Sequence, residues 1–191
     1  MAGKQAKILS VSDVNDLLVF VACSRHPIRN RGIVLLSAKA GMRAGEIANL
    51  TWEMVVDAGG KIGNVIELRD RAAKKGSGRM IPMHPELAAA LSAWRQTSTG
   101  SGHVVRSERG GPMTALSIVV WFNRAYQYLG LDGCSSHSGR RTFITRAARL
   151  VHEAGGSLRD VQLLAGHRSI QTTQRYIDGD TDAQRKLVSM I

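Results

Sequence analysis

Residues 137–176 read HSGRRTFITRAARLVHEAGGSLRDVQLLAGHRSIQTTQRY, and this stretch does the most to decide the fold. Its apolar residues and helix-forming residues predict helices over about 138–153, 157–164 and 169–177. Gly155-Gly156 marks the clearest break between them. Four polar side chains of chemical interest lie in the same stretch: His137, Arg140, His167 and Tyr176.

The chain on either side of this stretch is also mostly helical. Ser12 is a predicted cap for a helix that carries Val14, Leu17, Leu18 and Val21 on one apolar stripe. Further helices are predicted over 32–40, 44–50, 86–97, 114–129 and 180–190. Between them, Val65-Ile66 and Leu68, a turn at Lys75–Gly78, and Met80–Pro82 predict a small antiparallel hairpin. The predicted fold class is mainly α with a small antiparallel β-sheet.

The composition favours a polyanionic partner. Among 191 residues, 26 Lys and Arg against 15 Asp and Glu give a formal net charge of +11, and the basic residues are distributed along the chain rather than gathered in a tail. Such a surface attracts nucleic acid through counterion release. Cys23 and Cys134 form no C-x-x-C pair, so neither a zinc site nor a disulfide framework is indicated. No signal peptide or membrane span is predicted, and we expect a cytoplasmic protein.

Four short segments place cations, imidazoles or a phenol where a site that handles phosphate can use them. They are Gly41-Met42-Arg43-Ala44-Gly45-Glu46, Lys74-Lys75, His137-Ser138-Gly139-Arg140-Arg141-Thr142-Phe143, and Ala165-Gly166-His167 followed by Tyr176. Taken singly, each motif also fits an ordinary role. His-x-x-Arg is typical of a solvated basic face, and Arg-x-x-Glu of a surface ion pair.

The ordered set Arg, Lys, His-x-x-Arg, Gly-His and Tyr resembles the catalytic signature of the tyrosine recombinase (phage integrase) family. The resemblance covers nearly the whole chain. The interval from His167 to Tyr176 is nine residues (176 minus 167), as in the family, and Gln171-Thr172-Thr173-Gln174-Arg175-Tyr176 matches the family wording.

The resemblance implies a metal-independent reaction in which Tyr176 attacks a DNA phosphodiester and forms a 3′-phosphotyrosyl link. Arg43 and Arg140 would clamp the phosphate, since guanidinium forks match its oxygens. His167 would hydrogen-bond a non-bridging oxygen, while His137 would take the proton from the tyrosine or assist Arg140. The sequence does not fix which imidazole is protonated. Glu46 would orient Arg43 without contacting the phosphate itself.

The general acid for the leaving 5′-oxygen is predicted to be Lys74, but a one-residue shift of the hairpin would give Lys75 instead. Lys75, Arg79 and Arg141 are predicted DNA contacts. The phosphotyrosyl link preserves the bond energy, so no cofactor is expected. The chain has no G-x-x-x-x-G-K-[ST] loop for a nucleotide and no carboxylate cluster for a two-metal site.

Two other functions share this signature: a DNA-binding integrase remnant without catalysis, and a nicking and closing activity like that of type IB topoisomerases. The intact Arg43, Arg140, His167 and Tyr176 favour catalysis over the remnant. Tyr126 and Tyr128 lie in the predicted 114–129 helix, where core packing or surface placement is the expected role.

The resemblance also implies how the protein is organised. Leu9-Ser10-Val11-Ser12-Asp13-Val14 resembles the start of the family's catalytic domain, so we expect residues 1–191 to form one catalytic domain without the usual N-terminal core-binding domain. The partners implied are double-stranded DNA and further copies in a tetramer, with 178–191 either docking on a neighbour or folding back on its own monomer. The protein would then be associated with the nucleoid. The family more often has Leu where this chain has Gly139, which predicts a slightly looser site.

Overall fold

The computed structural model describes residues 6–73, 76–176 and 188–191. Within these ranges, strands β1 (Val65–Leu68) and β2 (Arg79–Pro82) pair antiparallel, with Val65 opposite Pro82. The helices are α1 (Val11–Ala22), α2 (Pro27–Ala40), α3 (Ala44–Asn49), α4 (Pro85–Thr97), α5 (Ala115–Tyr128), α6 (Ser138–Leu150), α7 (Leu158–Ala165) and α8 (Ile170–Gln174). The predicted fold class, mainly α with one small antiparallel sheet, is confirmed.

Two helices begin earlier than their apolar pattern predicts. The cap of α1 is Ser10, not Ser12: its Oγ accepts from the backbone N–H of Asp13, and the Asp13 carboxylate accepts from the backbone N–H of Ser10. This reciprocal pair satisfies two donors that a helix start leaves open. Helix α2 begins at Pro27. The N–H groups of the first helical turn have no partner within the helix, and proline suits this position because it has no N–H to leave unpaired. The predicted helix over 180–190 lies largely outside the described residues.

The main core is built around α2. Ile33, Val34, Leu35 and Leu36 are all at most 1% exposed, so this helix is covered on every side over that turn. Helices α1, α4 and α6 pack against it. Side chains from α1, α3, α5 and the two strands complete the main core. A helix buried all round acts as the central support of a domain.

A second, smaller cluster lies between α6 and α7. It consists of Ile144, Ala148, Val151, Val161 and Ala165, with Phe143, Ala147, Leu158 and Tyr176 packed against it. Helix α6 therefore has one face on α2 and another face on this cluster. The cluster packs the ring of Tyr176 against α6 and α7.

Gly139 lets α6 approach α2 closely. A Cβ at this position would overlap Oγ of Ser37 and would lie only 3.0 Å from Cβ of Ser37, which is tighter than most real contacts. The space that a leucine would need is therefore occupied by α2. The looser site predicted from Gly139 is not observed, since Gly139 itself is buried against Ser37.

Candidate active site

Arg140 lies at the centre of the site, on the first turn of α6, and is only 3% exposed. Its Nη1 donates to the carbonyl oxygen of Gly41 at 2.6 Å, and its Nη2 donates to that of Ala165 at 2.6 Å. These carbonyls belong to the C-terminal ends of α2 and α7, where helices leave acceptors unpaired and carry partial negative charge. Two helix ends thus hold the guanidinium in place.

Gly41 has a backbone conformation and a close neighbour that both favour glycine. Its φ of +62° is in the left-handed region, and a Cβ would lie 2.4 Å from Cδ1 of Phe143. This conformation ends α2 and is compatible with the contact between the Gly41 carbonyl and Arg140. Burial and the neighbouring charge of Arg43 lower the pKa of Arg140 to about 10, so the guanidinium remains charged at neutral pH.

Arg43 and Arg79 share one buried carboxylate, that of Glu46, which is 1% exposed. Arg43 donates to it from Nη1 at 2.6 Å and from its backbone N–H at 2.9 Å. Arg79 binds both carboxylate oxygens through Nη1 and Nη2, at 3.0 and 3.1 Å. Burial by itself would raise the pKa of Glu46, but the hydrogen bonds and charge of Arg79, reinforced by Arg43, lower it to about 2. The carboxylate is therefore ionised.

The structure corrects the interpretation of Arg79 as a DNA contact. Its side chain is only 6% exposed, and its Nε donates to the carbonyl oxygen of Leu164 at 2.8 Å. With Nη1 and Nη2 on Glu46, the guanidinium does not face solvent. Arg79 instead connects β2 to α3 and α7, because a buried arginine must be paired to remain charged.

His167 follows the C-terminal end of α7 and contacts Arg140. Its Nε2 lies 3.1 Å from Nη2 of Arg140, and its Nδ1 lies 2.9 Å from Oγ1 of Thr173. Burial, with the positive charges of Arg140 and Arg43 among its neighbours, lowers the pKa of His167 to about 4. The imidazole is therefore neutral at physiological pH.

Tyr176 stacks on His167, with ring centroids 5.5 Å apart and ring planes 23° from parallel. Its backbone N–H donates to the carbonyl oxygen of Thr173 at 3.0 Å. The tyrosine lines a cavity of about 240 Å³, and the lining residues are Ala6, His137, Arg140, Arg141, Thr172, Arg175 and Tyr176. The predicted nucleophile therefore lies beside the predicted clamp Arg140.

His137 precedes α6 and is exposed. It lines the cavity of Tyr176 and also a second one of about 360 Å³, whose lining includes Arg43, Glu46 and Ala73. His137 thus shares one cavity with each of the two clamps predicted from the sequence. Arg141, half-buried, donates from Nη1 to the carbonyl oxygen of Ala6 at 2.7 Å and lines the first cavity.

Lys74 and Lys75 lie outside the described residues, so the choice between them stays a prediction. The residues just before them, Ala72 and Ala73, line the second cavity beside Arg43. The two tyrosines of α5 take the two roles expected for them, one in the core and one at the surface. Tyr126 is buried in the main core, whereas Tyr128 is 76% exposed and its ring contacts Phe20.

Sequence reasoning missed three features of the site. The carbonyl oxygens of Gly41 and Ala165 have no sequence signal, since every residue has one. Thr173 is part of the motif before Tyr176, but its hydroxyl contact with His167 depends on how the chain folds back.

Among the described residues, no group of three His, Cys, Asp or Glu side chains is placed to hold a metal ion. No helix in that part of the chain is long and apolar enough to cross a membrane.

The arrangement defines a class of site: buried arginines and a histidine, held by helix ends, beside a tyrosine in an open cavity. A family model described as the phage integrase family matches residues 7–182. The chain therefore belongs to the phage integrase family. The ordered Arg, His-x-x-Arg, Gly-His and Tyr motifs are the features of the sequence that resemble this family.

Particular relatives agree with this assignment. The tyrosine recombinase XerC of Corynebacterium efficiens is 33% identical over 155 residues, covering 78% of this chain and 46% of the relative. XerC of Xanthomonas campestris pv. campestris is 30% identical over 152 residues, covering 78% and 44%. The chain spans about half the length of these relatives.

Solved structures share the fold. The crystal structure of XerA recombinase superposes with a TM-score of 0.73 at 27% identity, covering 96% of this chain and 64% of that one. The Tn1549 transposon integrase in complex with a circular intermediate DNA gives a TM-score of 0.76 at 21% identity, covering 100% and 67%. The architecture is that of a tyrosine recombinase catalytic domain.

Proposed function

We propose that this chain is the catalytic domain of a site-specific DNA recombinase that breaks and rejoins DNA strands through Tyr176. The observation that carries the proposal is the shared cavity of Tyr176, His137 and Arg140, with Arg43 lining the adjoining cavity. In a single step the tyrosine oxygen bonds to phosphorus, and the bond from phosphorus to the 5′-oxygen breaks. The product is a 3′-phosphotyrosyl link and a free 5′-hydroxyl, and attack by another 5′-hydroxyl reverses the step.

The positive groups fit the charge that this reaction develops. Phosphoryl transfer places negative charge on the non-bridging oxygens, and donors that are already oriented stabilise it best. Arg140 is oriented by two helix ends and Arg43 by Glu46. Neither guanidinium has to reorganise far to meet a phosphate.

The reaction needs two proton transfers, one from the attacking phenol and one to the leaving 5′-oxygen. His137 is exposed and lines the cavity of Tyr176, so we assign it the role of accepting the proton from the Tyr176 phenol. Lys74 is assigned the role of general acid for the leaving 5′-oxygen, with Lys75 as the alternative. Arg141 and Lys75 are assigned to the DNA backbone.

Double-stranded DNA is the proposed substrate. The net charge of +11 suits it, and both the Tn1549 integrase and a XerH recombinase were solved with DNA bound. Binding that rests on phosphate contacts is expected to weaken as the salt concentration rises. We further propose that residues 1–191 act as one domain at the nucleoid, and that strand exchange takes place in a tetramer in which 178–191 docks on a neighbour.

A trapping assay tests the proposal. The protein is incubated with nicked duplexes taken from the DNA that flanks its gene, so that a cleaved fragment diffuses away and the covalent adduct accumulates. An adduct that resists denaturing electrophoresis is expected, and Tyr176→Phe should abolish it. Tyr128→Phe is the matched control, because Tyr128 is exposed on α5 and does not line the Tyr176 cavity.

The other outcomes separate the alternatives. An adduct that persists in Tyr176→Phe would overturn the assignment of the nucleophile. DNA that is retained on a filter without any adduct would indicate a binding module. Relaxation of supercoiled plasmid without strand exchange would indicate a nicking and closing enzyme.

A further inference from the structure

Thr173 contacts two parts of the site, one through its side chain and one through its backbone. It is fully buried on α8, and its Oγ1 lies 2.9 Å from Nδ1 of His167. Its carbonyl oxygen accepts from the backbone N–H of Tyr176 at 3.0 Å. The other ring nitrogen of His167 lies 3.1 Å from Nη2 of Arg140. One threonine thus contacts both the imidazole and the segment of the nucleophile.

The partners of the imidazole determine its tautomer. A guanidinium has only donors, so Nε2 of His167 must accept from Arg140. In a neutral ring the proton is then on Nδ1, which donates to Oγ1 of Thr173. The charged groups around the ring are Arg140 on α6, Arg43 and Glu46 at the start of α3, and Arg79 on β2. Three cations against one carboxylate favour the neutral imidazole.

We propose that Thr173 is a positioning residue: its hydroxyl fixes His167 in the Nδ1–H tautomer and so keeps Nε2 as an acceptor for Arg140. The catalytic part of this inference rests on the proposed function, because it assigns Arg140 to the phosphate. Without the hydroxyl, the buried Nδ1–H has no acceptor. The Nδ1–H tautomer then loses its advantage over the other tautomer, and the ring is no longer held in the orientation that presents Nε2 to Nη2 of Arg140.

The first test needs no DNA. Protein labelled with ¹⁵N-histidine is examined by long-range ¹H–¹⁵N correlation at pH 7, and the His167 signals are identified by their loss in His167→Gln. The expected pattern for His167 is a protonated Nδ1 and an unprotonated Nε2. Thr173→Val should disturb this pattern, while Thr173→Ser should keep it. A protonated Nε2 in the unaltered protein, or an unchanged pattern in Thr173→Val, would overturn the proposal.

The second test measures single-turnover cleavage of the nicked duplexes used above. Thr173→Val should slow adduct formation about tenfold without changing the DNA dissociation constant, the size expected when one hydrogen bond no longer holds a catalytic group in place. Thr173→Ser should restore the rate. The matched control is Thr51→Val, since the buried hydroxyl of Thr51 has no partner among the described residues and lies away from the site.

The two tests distinguish the proposals from each other. If no adduct forms but the NMR pattern is as expected, the recombinase function fails while the positioning contact stands. If the adduct forms and Thr173→Val cleaves at the normal rate with the normal pH profile, the positioning role fails alone. Slower cleavage by Thr173→Val together with normal cleavage by Thr173→Ser, which keeps the hydroxyl but not the methyl group, supports positioning over a general loss of packing.

Discussion

Replacing Arg79 with Met removes the guanidinium that binds both oxygens of the buried Glu46 carboxylate. Removing one partner of a buried ion pair leaves an uncompensated charge, which typically costs 3–5 kcal/mol. Arg43 continues to pair with Glu46, so the loss for Arg79→Met is expected at the lower end, about 3 kcal/mol. For a chain of this size, that lowers the melting temperature by about 6–12 °C.

The same variant should change how stability depends on pH. The pKa of Glu46 is about 2 against an ordinary 4.5, so its ionised form stabilises the fold above pH 4.5 and this contribution is lost as the pH falls towards 2. The difference corresponds to about 3 kcal/mol. Without Arg79, burial raises the pKa, and the decline of stability between pH 4.5 and 2 should become shallower.

Urea unfolding followed by tryptophan fluorescence measures both effects. Arg69→Met is the matched control: Arg69 pairs with Glu53 at 3.3 Å, but the two side chains are 46% and 68% exposed, so its loss should cost at most about 0.5 kcal/mol. The double variant Arg79→Met/Glu46→Gln should recover most of the loss. A cost below about 1 kcal/mol for Arg79→Met, or no recovery in the double variant, would refute the reasoning.

Three further predictions follow from single contacts. Gly139→Leu should lower stability by about 1–3 kcal/mol in a thermal melt, because its side chain would overlap Ser37, and a stability equal to that of the unaltered protein would contradict the packing. Arg140→Lys should reduce covalent adduct formation at least about a hundredfold in the trapping assay, because an ammonium cannot span the two carbonyls; a rate within tenfold would contradict it. The pKa of His167 is lowered to about 4, so the folded protein should lose stability as the pH falls from 6.5 towards 4. The His167→Gln variant should lose less stability over this range. Equal losses in urea unfolding would contradict the buried, cationic environment of the imidazole.

Local sequence signals predicted a helix or strand well where the residues of that element themselves determine its structure. The hairpin follows from β-branched and apolar residues on both sides of a glycine turn, and the strands observed at 65–68 and 79–82 match it. The start of α1 was missed because two serines precede the apolar stripe. Only the reciprocal contact with Asp13 selects Ser10 as the cap.

The role of Arg79 shows where such signals stop. In the sequence it is one more basic residue after a glycine turn, as fits a DNA contact. The structure places it opposite Glu46, 33 residues earlier in the chain, and buries it. No periodicity within one strand reports a partner on another element.

The sequence by itself determined the order and spacing of the groups that make the site. His137 and Arg140 stand one turn apart, and His167 precedes Tyr176 by a fixed interval, because both spacings are set within a short piece of backbone. Only the tertiary structure decided what holds and tunes these groups. Arg140 is anchored by carbonyls 99 and 25 residues away, at the ends of α2 and α7. Those contacts arise from packing around a shared core, which brings together groups that are distant along the chain.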